Sequence, residues 1–455
     1  MTTSDKTDFS IGSVNRAILR MGIPACVAQI INLLYSVVDR VYIGHIPATG
    51  SLALTGLGIC LPVICLVTAF TNLCGQGGAP LCSAARGRGD LKEAARISGN
   101  SFALLLIAGL VATVVFLAFL EPLLRFFGAS EDTLPYAKAY LRLYLCGTEF
   151  VMIASGMNFH INAQGFSGYG MISVLLGAIL NIALDPLFIY AFHMGVQGAA
   201  LATVISQAVS AAWVLFFLTG NRAKYRLTRD CMKLDGRLCR RILSLGSASF
   251  FFGFTNALVE LVSNRILLAV GGDLYVGVMT ILVSLRDVFM TVPRAMTQGS
   301  QPVLSYNYGA GKNSRVRAGI RFIFWSMLLF CSVVGLFGEI FPRALMKIYT
   351  DDETLLSAGV PMMRLFFSGF WFLALQFVGQ NTFTALGKSA YAITFSLLRK
   401  AVIVVPATIW LASAFGYTGV FCAEPLSDYL GAGACFAVMM LTVYRRLGRS
   451  ETEKV

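Results

Sequence analysis

The chain is poor in charge. Only 13% of its 455 residues are Asp, Glu, Lys or Arg, where a soluble protein carries about a quarter. No stretch is long enough and polar enough to form a separate soluble domain. Histidine is nearly missing, and His45, His160 and His193 are too few to support a metalloenzyme. The eleven cysteines show no metal-binding spacing. Most lie in apolar stretches, where Cys behaves as a small hydrophobe, which argues against zinc and disulfides. No nucleophile–base pair stands out, so an intramembrane enzyme is disfavoured. The start, Met1 to Ile18, has no short apolar core with a cleavage site, which argues against a signal peptide.

What fills the chain instead is apolar sequence. Hydrophobic residues make up 56%, in runs of about 20 residues or more, the length needed to cross a bilayer. The runs predict an all-α polytopic membrane protein with spans at 19–43, 53–78, 97–120, 136–164, 168–192 and 195–219, then 243–270, 274–304, 319–341, 357–386, 389–414 and 417–443.

These twelve spans are two copies of one unit. Gln76-Gly77, Pro80, Ser83, Gly87 and Gly89 recur 222 positions later as Gln298-Gly299, Pro302, Ser305, Gly309 and Gly311. Gly165 with Gly387, Gly195 with Gly416, Gly198 with Gly419, Ala202 with Ala423 and Ser206 with Ser427 keep almost the same offset. Six spans per half is even, so the halves insert in the same orientation, as parallel repeats with a cavity expected between them. The expected organisation is a first lobe over 1–219, a linker over 220–242 and a second lobe over 243–455. A duplicated membrane bundle points to transport.

The net charge of +13 reports topology rather than nucleic-acid binding. Arg86, Arg88, Lys92 and Arg96 follow the second span. Eight basic residues lie between Arg222 and Arg241, and Lys312, Arg315, Arg317 and Arg321 repeat the first cluster. Arg445, Arg446, Arg449 and Lys454 close the chain. All follow even-numbered spans, which places both termini in the cytoplasm and the basic loops against anionic lipid. The 75–96 and 298–321 blocks are expected to form cytoplasmic hairpins. Glycines 87, 89, 309 and 311 would turn at positive φ, with Pro80 and Pro302 bending the span ends.

Ionisable groups at membrane depth are costly and are functional candidates by default. In the first half these are few. Asp39 lies near the outer end of span 1. Asn181 and Asp185 share one face of span 5 with Pro186 following, Thr203 lies in span 6 and Tyr140 in span 4. Their depths agree, on the order of 6–16 Å from the outer surface at the helical rise. Two carboxylates, an amide, a hydroxyl and a phenol suit a proton or Na+. The alternative, an Asp39–Arg40 pair, is opposed by the 100° between neighbouring helix positions. The second half has Ile403 and Ala407 where the first has Asn181 and Asp185. It carries Glu260, Arg265, Arg286, Asp287, Arg294, Glu424 and Asp428 instead, with Glu424 standing where Thr203 stands. Arg265, Arg286 and Asp287 are expected to pair among themselves, and Glu260 to face the cavity and attract a cationic substrate.

Pro24, Gln29, Tyr35 and Asp39 to Gly44, Pro62 with the 75–96 block, Asn181 to Pro186, Gly195 to Thr203 and the 302–311 repeat together resemble the multidrug and toxic compound extrusion family, over essentially the whole chain. Leu34 to Arg40 with Gly77 to Pro80 is similar to its bacterial branch, which includes staphylococcal multidrug exporters. The resemblance implies a V-shaped twelve-helix fold in two lobes that alternates between outward- and inward-open states. It also implies export of small amphipathic, cationic drugs across the cell membrane in exchange for Na+ or H+, with no cofactor. It maps the cation site onto Asp39, Asn181, Asp185, Thr203 and Tyr140, and a second-lobe acid onto Glu260. Gln376 replaces an acid that some relatives carry in span 10. A lipid-linked saccharide flippase of the same superfamily is the alternative; it would need a basic central cavity, for which Arg265, Arg286 and Arg294 are the candidates. A monomer is expected.

Overall fold

The computed structural model describes residues 8–47 and 49–452. The polar start as far as Thr7, and Lys454 of the closing basic cluster, lie outside the described residues. Among the described residues, ten helices are long and apolar enough to cross a membrane. They are α1 (Val14–Gly44), α2 (Gly50–Gly87), α3 (Leu91–Ala118), α5 (Ser167–Ala191), α6 (Val196–Thr219), α9 (Asn313–Ile340), α10 (Glu353–Ala385), α11 (Ser389–Phe415), α12 (Tyr417–Gly448) and the 74-residue Gly236–Gly309. The last turns at Gly272, whose φ of +67° is open to glycine alone at low cost. It is therefore two spans, α7 (236–271) and α8 (273–309). The remaining span, α4, is three short helices in series: Leu134–Cys146, Thr148–Gly156 and Asn158–Ala163. Twelve spans result, as the apolar runs predict.

The breaks in α4 and α10 are the same device used twice. Gly147 interrupts α4 and Gly369 interrupts α10. A Cβ on Gly147 would lie 2.4 Å from Val204 Cγ2, and one on Gly369 would lie 2.9 Å from Pro425 Cα. Glycine thus lets each broken helix touch α6 or α12 at repeat-related positions. The internal repeat also survives in the backbone: Gly89 and Gly311, Gly165 and Gly387, and Gly195 and Gly416 all have positive φ.

The hairpins are tighter than the sequence blocks imply. Only Arg88–Asp90 and Ala310–Lys312 leave the helix. Gly87 and Gly309 are the last helical residues, and Pro80 and Pro302 sit inside helices. Asp90 starts α3 by accepting from Glu93 N at 2.8 Å, which satisfies one of the orphan N–H groups of its first turn.

The described residues divide into two compact units, one drawn from 20–246 and the other from 9–19 and 247–452. In the second, Phe9 is fully buried. Asn307 Nδ2 and Arg315 donate to its carbonyl at 3.1 and 3.0 Å, Arg315 also donates to Gly12 O at 2.8 Å, and Lys312 Nζ donates to Ser10 O at 3.2 Å. Basic residues read as topological signals therefore also hold the segment that leads into α1.

In the first unit the basic linker is an ordered strap. Buried Asn100 on α3 accepts from Asp235 N at 2.8 Å and donates to Lys233 O at 3.2 Å. Arg96 pairs with Asp235 at 2.9 Å. Backbone N–H groups of Arg237 and Leu238 hold the Asp235 carboxyl below the ordinary carboxylate range. Replacing Asn100 by Ala leaves strap backbone groups unpaired, a loss of about 1–3 kcal/mol locally. Trypsin is expected to cut the Arg- and Lys-rich strap of Asn100→Ala about tenfold faster than wild type, the factor for about 1.4 kcal/mol. Equal digestion rates would show that Asn100 does not hold the strap.

Candidate functional site

The first unit gathers the polar residues that sequence depth alone placed at one level. Asn181 and Asp185 lie one turn apart on α5, and Asn181 Nδ2 donates to Asp185 Oδ1 at 3.3 Å. The same amide donates to Thr203 Oγ1 on α6, also at 3.3 Å. Asp185 is fully buried, Asn181 is 2% exposed and Asp39 on α1 is 9% exposed. Asp39 is within electrostatic reach of Asp185 and of Tyr140. Tyr140, in the first segment of α4, is buried and stacks on Tyr144 with ring centroids 6.2 Å apart. Arg40 is exposed, and no Asp39–Arg40 ion pair occurs among the described residues.

Three oxygens decide what this cluster can do. Asp39 Oδ1, Asn181 Oδ1 and Asp185 Oδ2 are buried with no hydrogen-bond partner. Buried acceptors of this kind are costly unless something binds them. Two carboxylates without a cationic partner are suited to a proton or a hard monovalent cation. Pro186, next to Asp185, closes the α-helical part of α5, and a π-helical turn, Leu187–Ala191, follows it directly. Such turns often mark functional positions in helices. Tyr35, one turn before Asp39 and in reach of both carboxylates, belongs to the group and was not singled out as a site residue from the sequence. Its spacing of four from Asp39 was the available signal.

The second unit gathers a different cluster. Arg286 on α8 donates to Glu424 Oε2 at 2.7 Å and to Asp428 Oδ2 at 3.1 Å, both on α12. Lys400 Nζ on α11 meets Glu424 Oε1 at 2.5 Å, and the neighbouring Arg399 pairs with Asp428 Oδ1. The expected pairing of Arg286 with Asp287 is corrected: successive residues point about 100° apart, so Asp287 turns outward to Arg294 at 3.0 Å. Arg399 and Lys400 went unremarked in the sequence reading, although two adjacent cations inside an apolar span are a visible signal. Glu260 on α7 and Arg265 are exposed and stand apart from this cluster, while Gln376 is buried with its Oε1 unpartnered.

Fold and site together define a polytopic helical membrane protein with a duplicated six-helix unit and a buried, oxygen-rich cluster in one copy. The sequence profile of the MatE family matches residues 24–187 and 248–410, once per half and over most of the chain, and the chain belongs to that family. It is a transport protein rather than an enzyme.

The chain is 24% identical over 451 residues to the multidrug export protein MepA of Staphylococcus haemolyticus, covering 98% of this chain and 97% of that one. It is 24% identical over 441 residues to MepA of Staphylococcus aureus, covering 96% and 95%. Its fold is similar to that of a MATE protein crystallised in a bent conformation, with a TM-score of 0.92 at 20% identity over 99% of this chain and 100% of that one. A multidrug resistance MATE family transporter of the MOP superfamily, in an outward-facing conformation, matches with a TM-score of 0.90 at 20% identity, over 99% and 100%.

Proposed function

We propose that the chain is a secondary antiporter of the cell membrane that exports small amphipathic, cationic compounds in exchange for Na+ or H+. The observation that carries this reading is the trio of unpartnered buried oxygens on Asp39, Asn181 and Asp185. The coupling ion binds there, with Thr203 and Tyr140 completing the group. Relatives named as multidrug exporters over nearly the full length support the substrate class. The lobes are the two sequence halves, the chain works as a monomer, both termini face the cytoplasm, and the basic loops lie on anionic lipid. The flippase alternative loses support because the Arg286 side chain is buried and its guanidinium is bound by Glu424 and Asp428 rather than presented to a pyrophosphate.

Glu260, exposed on α7, is assigned to substrate attraction. The test is efflux of a cationic dye and of a neutral one from cells, at fixed pH with sodium varied and at fixed sodium with pH varied. One of the two gradients is expected to drive both effluxes. Glu260→Gln should lower cationic-dye efflux several-fold and spare the neutral dye, because a single carboxylate attracts only the cation. Efflux insensitive to both gradients would overturn the antiport reading. Equal loss of both dyes would remove Glu260 from the substrate site.

A further inference from the structure

The buried charges of the second unit do not balance. Lys400, Glu424, Arg286, Asp428 and Arg399 form a ladder of alternating sign, closed by contacts of 2.5, 2.7 and 3.1 Å and by the Arg399–Asp428 pair. All five side chains are buried, none more than 11% exposed. Three cations thus face two carboxylates. Each oxygen of Glu424 and of Asp428 already takes one cation. The other charged or titratable groups in electrostatic range supply little of the missing negative charge. Asp287 on α8 is exposed and bound to Arg294, and Cys331 on α9 and Cys435 on α12 are buried thiols. Arg399 Nε is buried with no hydrogen-bond partner, which leaves even less compensation at that end.

An uncompensated positive charge inside a membrane protein is expensive. Only one member of the ladder can shed it. Guanidinium groups keep their proton at any working pH, and protonating a carboxylate would worsen the excess. Lysine is the cation whose ammonium can give up a proton, and its neutral amine still donates to Glu424 Oε1. The ladder then reads two against two.

The ladder also occupies a meaningful place in the repeat. Lys400 and Glu424 lie on α11 and α12, the pair equivalent to α5 and α6, which carry Asn181, Asp185 and Thr203. Glu424 stands at the position of Thr203, while Arg399 and Lys400 stand at those of Gly177 and Ala178. Each half has therefore built a buried polar cluster on the same helix pair with opposite chemistry. Arg399 and Lys400 lie in a π-helical stretch, Leu398–Val404, and Asp428 opens another, Asp428–Ala432. This parallels the π-helical turn beside Asp185.

We propose that Lys400 is a proton-exchange site of the second half: its ammonium releases one proton to water and takes one back, switching the ladder between net charges of +1 and 0. The assignment does not depend on which ion the first half binds. Deprotonation keeps the Lys400–Glu424 hydrogen bond but removes its charge, which loosens the tie between α11 and α12 relative to the tie between α8 and α12.

The test is differential potentiometric titration of the purified full-length protein in detergent, from about pH 6 to 9, a range in which ordinary carboxylates and lysines keep their charge state. Wild type is expected to release about one proton per chain more than Lys400→Met and more than Lys400→Arg. Arg286→Met provides an independent variant, because it leaves two matched ion pairs and so removes the reason for Lys400 to yield its proton; it too should lack the extra release. Identical titration of wild type and all three variants would show that Lys400 does not change its protonation over this range, and would overturn the proposal.

Discussion

Asp39→Asn is expected to reduce ion-driven efflux to the level of cells lacking the protein, while the protein still reaches the membrane in normal amount. The amide keeps the size and most of the shape of the carboxylate but removes the charge that a cation or proton needs. Asp39 Oδ1 has no hydrogen-bond partner in the fold, so the substitution breaks no structural contact of that atom. Burial of a neutral amide is also less costly than burial of a carboxylate. Folding therefore survives, and only the coupled step fails. Asp185→Asn and Asn181→Ala should weaken transport of cationic and neutral substrates alike, since disturbing an ion ligand is blind to the compound carried. Efflux assays with immunoblots for membrane protein level make the comparison. Wild-type efflux by Asp39→Asn would remove this residue from the ion site.

Asp428→Asn is expected to be the most destabilising single change in the second unit. It removes one of only two negative charges from the ladder and leaves three buried cations against Glu424 alone. Breaking a buried pair in this way costs about 3–5 kcal/mol, because the surviving charges lose compensation they cannot recover from solvent. Arg286→Met should cost much less. It separates the ladder into two intact pairs, Arg399 with Asp428 and Lys400 with Glu424, and the cluster becomes neutral. Melting temperatures in detergent should therefore fall in the order wild type or Arg286→Met, then Asp428→Asn well below both. The double variant Asp428→Asn/Arg399→Met should recover part of the loss by removing one surplus cation. Equal destabilisation by Asp428→Asn and Arg286→Met would show that charge balance is not what governs this core.

Much of the architecture was legible because membrane spans obey a local rule. A run of about 20 apolar residues has few alternatives to a helix across the bilayer, so the span count follows from composition along the chain. Boundaries were less legible. Helices α2 and α8 run on past their apolar parts, and polar helix and polar loop look alike in sequence. The interruption of α4 at Gly147 was also hidden, because glycine inside an apolar span reads as tolerated unless a close neighbour is known. That neighbour is Val204, 57 positions away in sequence.

The two polar clusters divide along the same line. Asn181, Asp185 and Thr203 could be grouped from the sequence because helix spacing and depth are periodic and local. The ladder of Arg286, Arg399, Lys400, Glu424 and Asp428 could not. Its partners lie on α8, α11 and α12, and which charge meets which depends on the rotation of each helix about its axis. Sequence alone determined a duplicated, twelve-span helical membrane protein with unequal halves and a first-half oxygen cluster, since periodicity, hydropathy and repeat register are properties of the chain. Tertiary structure decided the unpartnered state of the three site oxygens, the outward turn of Asp287 and the gathering of three cations against two carboxylates in the second-half ladder. Each of these depends on side chains brought together from distant positions, and packing, not spacing, selects those neighbours.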